Sequence, residues 1–295
     1  MRDKQEIDLE LFEHNWNDDA ANRYTAFIYI DNFPIYFDVF DTASFYFGNL
    51  IEHEDFIILK SNRSEEILNG SVKCPEGLTD FTIENRQRIK SFALGRLFSI
   101  PFNKNEFSFG HYTNKKYKIV SYIDAGMDET EIEGRIKFFD FVLDNCNNCN
   151  LLYRERGDVK TKHEKELLGK YKLVPNGFNL HENYFRTMGE GLFNINFPGI
   201  GLSQPFRLVD GVISKTVSIS TIVYQDIYKD FPCVKLPVCG YYGTGDWKTA
   251  KEILNNLDNV NVDSIYLQSL EWYRKYLSAE GMWYNQILSN YKSVI

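Results

Sequence analysis

Apolar and polar positions along this chain change period repeatedly, and each change marks an element. In the first third, short runs rich in aromatic and β-branched residues predict strands over 24–30, 34–40, 56–59 and 92–100. Helical spacing predicts helices over 42–52 and 84–91. The polar, glycine-bearing stretch FNKNEFSFGHYTN then reads as a linker. Beyond it strands and helices alternate: strand 117–123, helix 131–143, strand 150–154, helix 163–168, strand 171–174, helix 181–188, strand 192–197. A helix over 204–213, a strand over 216–221 and helices over 247–257 and 262–288 follow. Such alternation predicts an α/β fold with parallel sheets, whose ligands bind beyond the carboxyl ends of the strands. The expected units are 1–114, 115–262 and a C-terminal helical segment, 263–295, that crosses back to the first unit.

The strand over 192–197 ends in the turn Pro198, Gly199, Gly201. These residues reach backbone angles that others avoid, and Ser203 is placed to cap the next helix. A glycine turn opening a helix at a strand's carboxyl end is suited to an anion, phosphate first, although it also serves as a plain connection. Two other glycine motifs lead nowhere. GYYGTGDWKT sets Asp246 and Trp247 between its last glycine and Lys248, so it is not a P-loop and reads as a loop entering a helix. GIGLSQ lacks the third glycine of a dinucleotide fingerprint.

Composition narrows the class. With 295 residues, 43% of them hydrophobic, the chain has core enough for two domains. No apolar run approaches the ~20 residues needed to cross a bilayer, and the first residues are charged, so a cytoplasmic protein without a membrane span is expected. A net charge of −8 argues against nucleic acid as a partner. Five cysteines do not make a secreted disulfide framework. Cys146 and Cys149 have the spacing of half a zinc site, but no second pair follows, and the asparagines around them suggest a helix end and turn.

The stretch HENYFRTMGEGLFNINFPGIGLSQPFRLVDGVISKTVSIS resembles the nucleotide-sugar domain of GT-B glycosyltransferases, particularly exostosin-like enzymes of small bacterial or viral type. That family has an arginine and an acidic residue three apart on the helix after such a turn, and Arg207 and Asp210 stand there; the family's residue is usually Glu where this chain has Asp210. DAGMDETEIEGR, which brings in Arg135, is similar to the family's first loop and helix of the nucleotide domain, and PIYFDVFDTASFYFGNLIEHEDFIILKSNR to its acceptor domain. The resemblance implies two Rossmann-like domains facing a cleft. It also implies inverting transfer of a sugar from a nucleotide donor, a UDP-sugar with UDP-xylose first, to a hydroxyl of a glycan acceptor.

That chemistry needs groups of three kinds. A departing diphosphate needs cations and N–H donors, for which Arg135, Arg154, Arg207, Gly199, Gly201 and Ser203 are the candidates. A ribose contact is implied for Asp210, with Tyr184 or Phe206 as walls for the base. The acceptor hydroxyl needs a proton acceptor, and Asp41, then Asp38, with Asp31 nearby, are the choices; Asp41 also fits a helix cap. Lys60 and Arg63 add positive charge to that side or are solvated. The chain has no D-x-D motif, so arginines in place of a metal, and no cofactor beyond the UDP-sugar co-substrate, are expected. A non-hydrolysing nucleotide-sugar epimerase and a non-catalytic carbohydrate- or nucleotide-binding protein remain as alternatives.

Overall fold

The computed structural model describes residues 25–38, 55–72, 87–93, 115–124, 129–154, 169, 171–174, 181–199, 202 and 207–294. The predicted helices over 42–52 and 163–168 lie outside these residues.

The first sheet has the order β1-β2-β3-β4, with β1 Thr25–Ile30, β2 Phe33–Asp38, β3 Ile57–Lys60 and β4 Ile89–Ser91. β1 and β2 form an antiparallel hairpin through Asp31 and Asn32, at φ 50° and 65°, the left-handed angles that short polar residues tolerate best. β2, β3 and β4 run parallel. Residues 89–91 are therefore strand and not the end of the predicted helix over 84–91: pairing of Ile89 with Ile58, far away in sequence, overrides the local spacing. Phe92 and Ala93 lie past the strand's end, not inside one as predicted. Ser64 caps the one-turn helix α1, Glu65–Leu68, accepting from the Ile67 amide.

The second sheet is wholly parallel. Its order is β10-β9-β8-β5-β6-β7, with β5 Tyr117–Asp124, β6 Cys149–Arg154, β7 Lys172–Leu173, β8 Gly191–Asn196, β9 Val217–Ser220 and β10 Val234–Lys235. From β5 the chain winds one way to β6 and β7, then returns to lay β8, β9 and β10 on β5's other edge. The gap between β5 and β8 is thus a topological switch point, where connections leave in opposite directions and open a crevice at the carboxyl ends.

Strand alternation sorts the core into two layers. Ile119, Leu151, Phe193, Ile195, Val217 and Ile219 meet α2, Glu129–Asn145, and α5, Trp247–Asn255, on one face. Val120 and Leu152 meet α3, His181–Met188, α4, Arg207–Ile213, and α6, Val262–Leu277, on the other. Asp246 does cap a helix, as the loop reading of GYYGTGDWKT expects: it accepts from the Thr249 amide at 3.0 Å.

The predicted helix over 262–288 is broken at Ser278, whose backbone is extended and whose side chain starts a new turn by accepting from Gly281 N at 2.9 Å. A π-helical stretch, Met282–Leu288, and α7, Ser289–Lys292, then pack Ile287 and Tyr291 against Ile35, Ile57, Leu59 and Phe92 of the first sheet. Gln286 accepts from Ala93 N at 2.5 Å and donates to Tyr276 O at 2.6 Å, and the Tyr291 hydroxyl donates to Asp31 at 3.1 Å. Arg63 also pairs with Asp226, and Glu66 with Lys229 at 2.8 Å, joining α1's end of the first sheet to the segment after β9.

Candidate functional site

The site is built where β8 ends. Phe193 and Ile195 point into one layer, so Asn194 points into the other, where its Nδ2 donates to Arg207 O at 3.1 Å. Ser218 on β9 donates likewise to Leu208 O at 2.8 Å. Two polar strand residues thereby hold the first turn of α4 flat on the sheet. Gly211 permits the approach, since a Cβ there would fall 2.8 Å from Ser218 Oγ and 3.3 Å from Asn194 Nδ2. Every residue of α4 is buried.

Arg207 consequently lies inside the protein, only 6% exposed. Its guanidinium carbon stands 4.5 Å from the centre of the Phe197 ring and 5.1 Å from that of Tyr122, near the carboxyl end of β5. Among the described residues its side chain has no carboxylate partner, and its buried Nε has no hydrogen-bond acceptor. Arg135, on α2 and 4% exposed, lies 5.1 Å from the same Phe197 ring. It donates to Pro198 O at 3.5 Å and pairs with Glu131 one turn earlier. Arg135 is charge-balanced within the protein. Of the two, Arg207 is the one with no carboxylate partner among the described residues, and it sits at the switch point between β5 and β8.

The remaining sequence candidates are placed as follows. Gly199 follows Phe197 and Pro198 and is half-buried. Gly201 and Ser203 lie outside the described residues, as do Asp41 and Phe206. Leu202, between them, is buried at φ 61° against Ile67, Tyr224, Cys239 and Tyr241, and its carbonyl accepts from Gln225 at 2.5 Å. Arg154 ends β6 opposite Asp124 of β5. Asp210 is fully buried and accepts from the Tyr184 hydroxyl at 2.9 Å. It braces α4 against α3, and it does not form the exposed pair with Arg207 that their spacing allows. Burial and then the charge of Asp210 raise the pKa of the neighbouring Tyr273 phenol. Tyr184 is enclosed with it.

Asp38 ends β2 fully buried, with Lys60 of β3 also fully buried and 2.8 Å away. The two strands are parallel and in register at this pair, so each carboxyl end brings one charge and the pair neutralises itself. Lys60 is thus no solvated charge, and Arg63 is committed to Asp226 and Glu65. Among the described residues no three His, Cys, Asp or Glu side chains gather in a way that could hold a metal ion. No helix among them is long and apolar enough to cross a membrane.

Sequence reasoning missed the two rings, Tyr122 and Phe197, on which Arg207 lies, and Glu131 as the partner of Arg135. The i, i+4 spacing of Glu131 and Arg135 was a usable signal. The rings carried none, because they meet Arg207 only through the sheet.

No family model matches the chain, and no curated protein does. Solved structures do. A UDP-forming α,α-trehalose-phosphate synthase from Burkholderia xenovorans is 7% identical over 70% of this chain and 53% of its own, with a TM-score of 0.44. A TarM mutant of S. aureus, in complex with Fondaparinux, alpha-GlcNAc-glycerol and UDP, is 14% identical over 83% of this chain and 52% of its own, with a TM-score of 0.47. The C-terminal domain of a glycosyl transferase group 1 family protein from Francisella tularensis is 13% identical over 56% of this chain and 88% of its own, with a TM-score of 0.37. The chain spans about half the length of the synthase and of TarM.

Proposed function

We propose that the protein is a glycosyltransferase that binds a nucleotide-sugar with its diphosphate at Arg207 and moves the sugar to a hydroxyl of a saccharide acceptor. One observation carries this reading: Arg207 is buried at the switch point of a parallel sheet with no carboxylate partner among the described residues. A guanidinium does not lose its proton in a protein, and burying one without a counter-charge costs several kcal/mol, roughly, so such a group calls for an anionic ligand. Phosphate oxygens match its fork of donors, and a nucleotide's position in such a sheet is the crevice beyond β5 and β8.

The sugar part of the reading rests on the exostosin-like pattern of residues 181–220, which supports a UDP-sugar, UDP-xylose first, and inversion by direct displacement. In that reaction a carboxylate, Asp41 or Asp38, takes the proton of the acceptor hydroxyl. The oxygen attacks the anomeric carbon on the face opposite the diphosphate, and the bond to the diphosphate breaks. Negative charge then grows on the leaving oxygen, where Arg207, with Arg135 beside it, stabilises it without a metal. Arg154, Gly199, Gly201 and Ser203 complete the donor side, and Asp210 meets the ribose from α4.

The test is a panel of UDP-sugars with mixed monosaccharide acceptors, in chelator, read by mass spectrometry. The expected result is a new saccharide and UDP, both dependent on acceptor. A new nucleotide-sugar formed without acceptor would mean an epimerase, and nucleotide binding with no product a non-catalytic binder.

A further inference from the structure

The opposite edge of the second sheet carries chemistry that sugar transfer does not use. Cys146 follows the last residue of α2 and Cys149 opens β6, so both lie at the amino ends of the strands, away from Phe197. The turn between them is fixed at several points. Asn145 donates to Phe141 O at 2.8 Å, Asn148 takes a φ of 60° and donates to Lys116 O at 3.1 Å, and Lys118 N donates to Asn148 O at 2.9 Å. Held this way, Cys149 turns back on Cys146, its Sγ donating to Cys146 O at 3.2 Å. Neither is in a disulfide. Cys146, 7% exposed, borders an open cavity of about 500 Å³ together with Lys118, Leu254 and Asp258.

We infer that Cys146 and Cys149 form a redox-active dithiol, which exchanges with small disulfides of the glutathione class and closes into an intramolecular bridge. Interaction with the Cys149 thiol draws the Cys146 thiol down to about 7, against the opposing effect of burial, with Lys118 adding to the fall, while Cys149 moves up. A thiol that ionises near ambient pH is the best attacker in exchange. Cys146 thiolate attacks one sulfur of the small disulfide, forming a mixed disulfide and releasing one thiolate. Cys149 gives its proton to that thiolate and attacks Cys146 Sγ, releasing the second small thiol. One small disulfide is reduced to two thiols while two cysteines are oxidised to one bridge, so atoms and electrons balance. The bridge would fasten the end of α2 to the start of β6.

The experiment equilibrates the full chain with graded ratios of oxidised to reduced glutathione, blocks free thiols with N-ethylmaleimide and maps the peptides by mass spectrometry. The expected result is a linked Cys146–Cys149 peptide that grows with the oxidised fraction, with no glutathione retained. Cys149→Ser should stop at the mixed disulfide, with glutathione on Cys146. In the wild-type chain, maleimide on both cysteines at the highest ratio, glutathione retained on either, or Cys146 bridged to another cysteine would each overturn the inference. The readout is independent of sugar transfer, so its failure leaves the proposed activity untouched.

Discussion

Arg135 and Arg207 come from helices far apart in sequence and rest against one ring, their guanidinium carbons 5.1 Å and 4.5 Å from the centre of Phe197. Arg135 has Glu131 to balance it; Arg207 has no such partner among the described residues. One ring thus offers its negative π cloud to two cations, each attracted to it electrostatically.

Replacing Arg207 should therefore separate ligands by charge. Arg207→Ala should weaken UDP at least about tenfold, a change of about 1.4 kcal/mol, and slow sugar transfer further, because leaving-group charge is greatest in the transition state. Uridine, which lacks phosphates, should bind the variant nearly as well as the wild type. Calorimetry with both ligands checks this; equal losses would show that Arg207 serves the fold and not the diphosphate.

Phe197→Leu keeps apolar bulk at a buried position but removes the π face. Each cation–π contact is worth about 0.5–2 kcal/mol, so UDP affinity should fall several-fold with Arg207 still present. Unchanged UDP affinity in a folded variant would mean that the ring does not position the guanidinium.

Asp38 and Lys60 answer to different measurements. Asp38→Ala removes the carboxylate that meets the buried Lys60 ammonium and should cost about 3–5 kcal/mol of stability in denaturant titration. Asp38→Leu combined with Lys60→Met removes both charges and should recover most of that loss. If the double variant is stable and still transfers sugar at the wild-type rate, Asp38 is structural and the base is Asp41 or another group.

A pH effect is expected from Lys115, which donates to Gly189 O at 2.7 Å and Lys215 O at 2.8 Å. Burial, with the Lys215 charge adding, lowers its ammonium from 10.5 to about 8. Between about 8 and 10.5 the unfolded chain holds a proton that the folded chain has released, so this group makes stability rise with pH in that window and is silent below it. Thermal melts from pH 7 to 10 should show wild type gaining on Lys115→Met; parallel curves would refute the shift.

How much of this could be read from the sequence depends on how local each signal is. The 181–188 helix matches His181–Met188, and the strands around the turn fall within a residue or two, because an apolar run closed by Pro198 states its own boundaries. The place of Arg207 after the turn marked it as a candidate, but its burial against two rings could not be read there. The strand Ile89–Ser91 and the Phe197 and Tyr122 rings were not legible, since partners distant along the chain define them. Ser278 lay between: its side chain stops one helix and caps the next, yet the apolar spacing runs through the break.

The return of the C-terminal segment to the first sheet has a consequence for biosynthesis. Ile35, Ile57, Leu59 and Phe92 are translated long before Ile287 and Tyr291, which cover them. At ~5–20 residues per second the wait is on the order of ten seconds or more. During that time the six-stranded sheet can assemble while the first sheet keeps an apolar face open on the ribosome. Nascent chains stalled before Ile287 should therefore be caught by chaperones through the first sheet, and release from that capture should come only when the final helices emerge.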